Sequence, residues 1–154
     1  TVEWGGRTAP TAKSTYPLKI YLIANKVDDL PSGVYEYIPG ERESIHSLSP
    51  VKEGEFGEAI FTNLNQNSFK NVPGIIVIAG DMAKMATAYG GIAHDKEVYL
   101  EAGHVAQNLA LQAETLKLGM VTNSSFNDSI IRNIISIPED ETIIYLLPFG
   151  TPKD

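Results

Sequence analysis

The sequence predicts an α+β sandwich, in which a mixed β-sheet packs against helices, formed as a single domain over residues 1–154. Two observations lead to this fold class. Segments typical of strands and of helices follow one another without the strict alternation of βαβ units, which favours an α+β fold. The chain is also long enough to bury one core, and its 43% hydrophobic and 20% charged residues are the proportions of an ordinary globular protein.

Five stretches predict strands from their alternation or their apolar content: Leu18–Val27, Val34–Ile38, Ser44–Leu48, Val72–Asp81 and Thr142–Gly150. The second and third form a hairpin, whose turn at Pro39–Glu41 combines the fixed φ of proline with the permissive φ of glycine. The last two are almost wholly apolar, which is typical of strands covered on both faces. Residues 1–17 contain several glycines and prolines and predict irregular structure.

Four stretches carry apolar residues at the spacing of a helix: Glu53–Leu64, Met82–Gly91, Lys96–Leu118 and Asn127–Ile137. Gly90 and Gly91 are expected to end the second helix, and Gly119 the third. Asn127 is expected to cap the fourth helix, because its side chain can accept hydrogen bonds from the free amides of the first turn. Pro138 is expected to close that helix.

The helix predicted at Lys96–Leu118 is apolar on nearly every side. One stripe at spacings of three and four consists of Val98, Ala102, Val105, Leu109, Ala113 and Leu116; a second consists of Leu100, Gly103, Ala106, Ala110 and Leu111. A helix of this kind is buried rather than lying on a surface. We expect part of it to face a second subunit, with Gly103, Ala106 and Ala110 permitting close helix approach. The alternative is a central helix within a monomer.

Three polar side chains interrupt these stripes, namely His104, Gln107 and Asn108. A buried polar group without a partner costs roughly 1–3 kcal/mol, so each of them needs a hydrogen bond if it is buried. The pattern leaves two interpretations open. They bond to neighbouring backbone or across a subunit interface, or they border a ligand.

The composition argues against several classes of function. A net charge of −7 argues against a general nucleic-acid binder, and the absence of cysteine excludes disulfides, thiolate metal sites and a cysteine nucleophile. His46, His94 and His104 are too scattered to predict a metal site. No apolar run approaches the roughly 20 residues of a membrane span, and residues 1–10 have no signal-peptide core. A cytoplasmic protein without membrane contact is the expectation.

Three stretches resemble the nitroreductase family, and most closely its branch of SagB-type dehydrogenases. They are "RTAPTAKSTYPLKIYLIANKVDDLPSGVYEYIPGE", "YLEAGHVAQNLALQAETLKLGMVTNSSFND" and "IPEDETIIYLLPFGTP". They occur in the family order from Arg7 to Pro152, nearly the whole chain. Several separated motifs in one order are far more specific than any one of them.

The resemblance implies a nitroreductase-like α+β sandwich with a mixed, mainly antiparallel sheet and a long central helix, assembled as a homodimer with FMN between the subunits. It implies ping-pong electron transfer from NAD(P)H through the flavin to a small-molecule acceptor such as a nitro compound or a quinone. In SagB-type relatives the flavin oxidises an azoline instead. The flavin carries the chemistry, so no catalytic side chain is assigned.

The resemblance also assigns candidate cofactor-binding residues. One loop is expected to lie along the flavin ring, and within it Lys13 is expected near the N1–C2 edge; the loop consists of Pro10, Thr11, Ala12, Lys13 and Ser14. The backbone amides of a second loop are expected to face flavin N5 and O4; this loop consists of Thr122, Asn123, Ser124 and Ser125. Arg7 and Lys153 are the candidates for the phosphate. Gln107 and Asn108 are interpreted as structural.

Departures from the family pattern leave an alternative open. The arginine- and serine-rich segment that grips the FMN phosphate in the family is not found in residues 1–154, and Ser124-Ser125 stands where Gly or Glu-Gly is common. The alternative is a catalytically reduced or inactive flavin-binding relative that acts as a binding or partner protein. A third hypothesis, an unrelated enzyme that uses Glu or His acid–base chemistry, has little support because the acidic residues fall in turns and at helix ends.

Overall fold

The computed structural model describes residues 7–40, 45–64 and 66–152. The strands are β1 Leu18–Ala24, β2 Gly33–Ile38, β3 Ser47–Glu53, β4 Gly74–Asp81, β5 Gly119–Met120 and β6 Glu141–Gly150. The helices are α1 Gly57–Leu64, α2 Met82–Ala88, α3 Asp95–Thr115 and α4 Asp128–Ile135. Two short 3-10 turns, at Ala12–Ser14 and Asn67–Phe69, complete the regular elements of the described residues.

The strands form one sheet in the order β3-β2-β1-β4-β6-β5. Every neighbouring pair among the described strands is antiparallel, so the prediction of an α+β fold is confirmed while the sheet is not mixed. The central position belongs to β4, which pairs with β1 on one side and β6 on the other. Strands β4 and β6 correspond to the two apolar stretches that the sequence predicted to be covered on both faces.

Two hydrophobic clusters lie on opposite faces of this sheet. On β4, Ile75, Val77 and Ala79 point into one cluster and Ile78 into the other, as the two-residue period of a strand requires. Helices α1 and α4 cover the first face, where Ile60 and Ile131 are buried. Helices α2 and α3 cover the second. Each helical layer therefore buries its apolar side against the same sheet.

Helix α3 is covered on one side only. Val98, Ala102, Ala106 and Ala113 are buried, and Val98 approaches the sheet at Gly80, where an added Cβ would lie 2.6 Å from a Val98 methyl carbon. On the outer side Tyr99, Leu100, Leu111 and Leu116 are exposed, with Leu100 at 53% and Leu111 at 59%. The alternative of a central helix enclosed within a monomer is therefore wrong for the single chain. That the exposed side faces a second subunit stays a prediction. Ala106 was expected to permit helix approach, but it packs towards the sheet.

The N-terminal half shows three boundary differences with local causes. β1 ends at Ala24 rather than Val27, because the amides of Asn25 and Lys26 both donate to the carbonyl of Pro73. The return strand of the hairpin is β3, later than the predicted Ser44–Leu48, whose first residue lies outside the described part of the chain. Helix α1 starts at Gly57 rather than Glu53, since Glu53 still pairs within the sheet.

The C-terminal half shows two more differences between predicted and observed helix boundaries. Helix α3 ends at Thr115 because Lys117 adopts a left-handed φ of 57°, so Gly119 is not its stop and instead begins β5. Helix α4 ends at Ile135 because Ser136 is left-handed at φ 58°, two residues before the proline that was expected to close it. The cap prediction is confirmed: the side chain of Asn127 accepts from the amide of Ile130 at 3.2 Å.

The edge strand β3 carries a proline. Pro50 lies opposite Tyr35, next to a register shift between Val34 and Tyr35. Proline has no N–H to donate and is found in sheets at edges and bulges, which is where it lies here.

Candidate functional site

The N-terminal segment Arg7–Tyr16 crosses helices α2 and α3 and is attached to them at separate points. Asn108 on α3 donates from Nδ2 to Thr8 Oγ1 at 3.1 Å. At the other end, Lys13 donates from Nζ to the carbonyl of Ala88, the last residue of α2, at 3.0 Å. Asn108 thus finds its partner within the same chain, whereas the sequence left open a bond across an interface. His104 and Gln107 point to solvent in the single chain.

The backbone of this segment turns through unfavourable conformations. Lys13, Ser14 and Tyr16 all have positive φ values, of 50°, 55° and 48°. Residues with a Cβ rarely adopt this region, and strained backbone of this kind is concentrated at functional sites. Two side chains hold the turn at Tyr16: Thr11 Oγ1 accepts from its amide at 2.9 Å, and Lys84 Nζ donates to its carbonyl at 3.0 Å.

The side chain of Lys13 is held against the end of α2. Its Nζ lies 4.1 Å from the centroid of the Tyr89 ring, and that ring stacks on His94 at a centroid distance of 3.7 Å. A cation over an aromatic face and at a helix C-terminus is stabilised by the ring quadrupole and by the helix dipole. Lys13 remains exposed, as are Pro10 and Ser14. The loop therefore presents three of its five predicted residues to solvent.

Arg7 is held by stacking. Its guanidinium lies 4.3 Å from the centroid of the Tyr16 ring, and the residue is exposed. Burial raises the pKa of Tyr37, and the charge of Arg7 opposes that rise. Lys153, the other predicted phosphate ligand, lies outside the described residues.

The second predicted segment, Thr122–Ser125, is attached by its backbone. Asn123 N donates to the Leu146 carbonyl at 3.0 Å, and Leu146 N donates to the Asn123 carbonyl at 2.9 Å, which extends the sheet beyond β5. The buried Asn123 side chain donates to Gln66 Oε1 and accepts from the amide of Ser125 at 2.6 Å.

This bonding divides the four predicted amides. Those of Asn123 and Ser125 already donate to oxygen atoms of the protein, so they are not available to a flavin. Within the described residues, the amides of Thr122 and Ser124 have no protein acceptor, and both residues are exposed. Asn123 is a structural anchor, a role that the sequence analysis missed. Thr122 and Ser124 are the ones able to donate to a ligand.

A groove of about 740 Å³ adjoins this second segment. It lies between the connection that precedes β4 and the paired ends of β5 and β6, and Lys70, Val121, Phe149 and Pro152 are among its lining residues. Its walls come from segments far apart in the chain, so no sequence pattern predicts it. It places apolar surface and one cation beside Thr122.

The two predicted segments have separate attachments within one chain. The hydrogen bonds of Arg7–Tyr16 described above go to α2, to α3 or within the segment. Those of Thr122–Ser125 go to β6, to Gln66 or within the segment. The structure of a single chain therefore does not bring them together through direct bonds.

A buried acid lies beneath the first segment. Glu101 on α3 is only 5% exposed, and burial raises the pKa of its carboxyl; a hydrogen bond from Thr11 and the charges of Arg7, His104 and Lys84 oppose that rise. Glu101 is not among the residues predicted from the sequence, although its spacing indicates that it is buried. Glu101 lies three residues after Val98 and beside Ala102, so the helical period places it on the apolar side.

A second buried acid lies at the start of β6. Tyr21 donates from its hydroxyl to Glu141 Oε2 at 2.7 Å, and burial raises the pKa of both groups. This pair fills a polar position beside the cluster under α1 and α4, on the face of the sheet away from Glu101.

Neither a metal-binding cluster nor a membrane-spanning helix is present among the described residues. No group of three or more His, Cys, Asp or Glu side chains is arranged to hold a metal ion. None of the helices in those ranges combines the length and apolar character that crossing a bilayer requires.

Comparison with known proteins identifies the family. A model of the nitroreductase family matches residues 2–151. A nitroreductase-like protein of Methanocaldococcus jannaschii is 38% identical over 151 residues, which are 97% of this chain and 73% of that protein.

Two solved structures have the same fold. A nitroreductase-like protein of Anabaena variabilis superposes with a TM-score of 0.80 at 23% identity, over 96% of this chain and 29% of that one. A chain of the Escherichia coli microcin synthetase complex superposes with a TM-score of 0.77 at 19% identity, over 97% of this chain and 57% of that one. This chain thus spans less than two thirds of either, and identities this low establish the fold alone. The match over residues 2–151 and the M. jannaschii relative establish the family: the chain belongs to the nitroreductase family.

Proposed function

We propose that the chain is an FMN-dependent oxidoreductase of the nitroreductase type. It passes electrons from NAD(P)H through the flavin to a small-molecule acceptor, a nitro compound, a quinone or a similar oxidant. The redox chemistry is supplied by the flavin when it is bound, and the protein holds and orients it. Azoline oxidation is the form of this reaction that the SagB-type resemblance suggests. The observation that carries the proposal is the strained, exposed loop at Lys13 and Ser14 in a chain of this family.

The residues present fit a flavin in two places. The exposed loop Pro10–Ser14 offers a rigid edge and, in Lys13, a cation suited to the N1–C2 side of a reduced flavin. The amides of Thr122 and Ser124 are exposed donors for the N5 and O4 side. Backbone donors do not depend on side-chain identity, so the serines at 124 and 125 are compatible with this role. Arg7 is the described cation available for the phosphate end.

The site is assembled from two copies of the chain in this proposal. Two observations support a homodimer. The outer side of α3 exposes Tyr99, Leu100, Leu111 and Leu116, an apolar row of the kind that marks an interaction surface. The two candidate flavin segments are attached to different parts of one chain, which suits a cofactor bound between subunits.

The first test is the visible absorption spectrum of the purified protein. The purified protein, or the protein after addition of FMN, is expected to show the absorption of bound oxidised flavin and to lose it when NADH or NADPH is added without oxygen. A nitroaromatic, a quinone and an azoline peptide are then offered separately as acceptors, and reoxidation of the flavin is followed. A colourless protein that does not bind added FMN would contradict the proposal.

A further inference from the structure

The ammonium group of Lys13 is held by two consecutive residues at the end of α2. It donates to the carbonyl of Ala88 at 3.0 Å and lies 4.1 Å from the centroid of the Tyr89 ring. An exposed lysine carries its charge on a flexible four-carbon stem and loses conformational freedom when that charge is held in one place. The group that fixes the Tyr89 ring therefore also decides where the charge of Lys13 lies.

The Tyr89 ring is itself held by the core and by a second ring. Tyr89 is partly buried and packs against the hydrophobic cluster that contains Ile78 and Met85. The imidazole of His94 stacks on the Tyr89 ring at a centroid distance of 3.7 Å, with an angle of 21° between the planes. Stacked rings in van der Waals contact leave no room for a third group between them, so the Lys13 ammonium lies on the opposite face of Tyr89. The three side chains form one stack in the order Lys13–Tyr89–His94.

A turn of two glycines brings His94 back over Tyr89. Gly90 and Gly91 have φ values of 71° and 87°, a region that residues with a Cβ rarely adopt. Both amides donate to carbonyls in the last turn of α2, at 3.1 and 2.9 Å, which closes the chain reversal. The stack is thus a product of the connection between α2 and α3.

Glu97 holds the outer ring of the stack. His94 Nδ1 lies 3.3 Å from Glu97 Oε2, and the Glu97 amide donates to the His94 carbonyl at 3.2 Å. These contacts attach the imidazole to the first turn of α3. Both side chains are 29% exposed, so the ion pair contributes little to global stability, and its effect is on the orientation of the ring.

We propose that Tyr89 and His94 are positioning residues for Lys13: the stacked rings hold its ammonium group at the end of α2, beside the strained turn at Lys13 and Ser14. Tyr89 contacts the ammonium group, and His94 acts through Tyr89. The placement of the charge is a property of this chain alone. Its consequence for FMN rests on the proposed function, in which a cation fixed at the N1–C2 edge stabilises the reduced flavin.

The first experiment locates the Lys13 side chain by NMR, without any flavin. Protons over an aromatic face are shifted upfield, so the ε-methylene protons of Lys13 are expected upfield of those of Lys26, an exposed lysine outside the loop. Loss of the signal in Lys13→Met assigns it. Tyr89→Leu keeps apolar bulk without a ring and is expected to move the signal to the Lys26 position. Tyr89→Phe keeps the ring and is expected to retain the upfield shift.

His94 is tested separately, because it acts on Lys13 only through Tyr89. His94→Ala removes the stacked ring and is expected to reduce the upfield shift of Lys13 by about half or more, whereas His94→Phe keeps a stacked ring and most of the shift. Protection of the Ile78 amide in β4 against hydrogen exchange is the control for an intact fold. If Tyr89→Leu does not fold, the two His94 variants carry the test.

Two results would overturn the positioning. An upfield shift of Lys13 that is unchanged in Tyr89→Leu overturns the role of Tyr89. A shift that is equal in His94→Ala and the parent overturns the role of His94.

Reduction potentials separate the consequence for FMN from the positioning itself. If both hold, Tyr89→Leu and Lys13→Met each lower the midpoint potential of bound FMN. The double variant Lys13→Met/Tyr89→Leu then has the potential of Lys13→Met alone, since Tyr89 acts through Lys13. Equal potentials in the parent and in Tyr89→Leu, or additive shifts in the double variant, overturn this consequence. A parent that never binds FMN overturns the proposed function, while the NMR shifts still decide the positioning.

Discussion

The two loops expected to contact the flavin are held in opposite ways. Thr11–Tyr16 is a strained turn fixed by side chains from α2 and from the loop itself. Thr122–Ser125 is an extension of the sheet, fixed by paired backbone bonds to β6. The conformation of the first loop depends on which side chains are present and on their charge. The second tolerates substitution at exposed positions, because main-chain groups form its bonds.

The largest effect is expected at the outer side of α3, which we propose is the surface buried between subunits. Leu111→Asp places a charge on an exposed apolar row that we expect to be buried between subunits. Burying an unpaired charge there is expected to weaken dimerisation about 100-fold or more, and FMN binding with it. Sedimentation equilibrium and FMN titration measure the two.

Ile45→Asp is the matched control, since Ile45 is 89% exposed and lies on the hairpin rather than on α3. It is expected to leave the dimer intact. A monomeric parent, or a Leu111→Asp variant that remains dimeric, would place the flavin loops in some other arrangement.

In the loop Thr122–Ser125, removing the Asn123 side chain is expected to cause the largest loss of stability. Asn123→Ala leaves Gln66 and the Ser125 amide without their partner, so the free energy of unfolding is expected to fall by about 1–3 kcal/mol. Urea denaturation gives the value. Ser124→Ala, at an exposed position, is expected to change it by less than about 0.5 kcal/mol. Equal losses in the two variants would contradict the anchoring role of Asn123.

The free energy of unfolding is expected to depend on pH through Glu101, the buried acid beneath the first loop. Because burial raises the pKa of Glu101, the folded state binds this proton more tightly than the unfolded state, and stability is lost as the pH rises through the folded-state pKa. Glu101→Gln removes that loss, so its free energy of unfolding is expected to exceed that of the parent at pH 8, with a smaller difference at pH 4.

Denaturation curves of the parent and of Glu101→Gln, recorded at pH 8 and at pH 4, measure this difference in the free energy of unfolding. If the parent becomes more stable than Glu101→Gln as the pH rises, the prediction is wrong. The cations around Glu101 would then outweigh its burial.

The smallest change in stability is expected at Lys13. Lys13→Met removes the bond to Ala88 and the contact with Tyr89, both exposed, so the free energy of unfolding is expected to change by no more than about 0.5 kcal/mol. If the flavin lies along this loop, loss of the cation makes the reduced flavin less favourable and lowers its midpoint potential. Lys26→Met, at an exposed lysine outside the loop, is the control. An unchanged potential would place Lys13 away from the flavin ring.

The regular elements could be predicted where one physical rule decides them. The apolar runs that became β4 and β6 were located to within two residues of their observed bounds, and the cap at Asn127 was identified from its side chain. The surroundings of α3 could not be predicted. Two apolar stripes at the same period look alike in sequence, and the sheet covers part of each. Ala102 of the first stripe and Ala106 of the second are buried, whereas Leu116 of the first and Leu111 of the second are exposed.

The candidate site could be predicted as segments but not as geometry. Nothing in "AKSTY" signals that Lys13, Ser14 and Tyr16 adopt positive φ, because that strain is imposed by Thr11 and Lys84 from outside the turn. Which amides of Thr122–Ser125 remain available depends on Leu146, over twenty positions away in the chain. Resemblance located both loops, and only the folded chain shows how each is held.

The proline in the outermost strand limits how the molecule can associate. A strand edge with free amides and carbonyls is a template on which further strands add, and Pro50 deprives β3 of one donor beside a break in register. The opposite edge, β5, is only two residues long. Neither edge favours the strand-by-strand growth that leads to fibrils. We therefore expect association to run through the helical surface, and a partly unfolded population to resist ordered aggregation as long as the sheet stays intact.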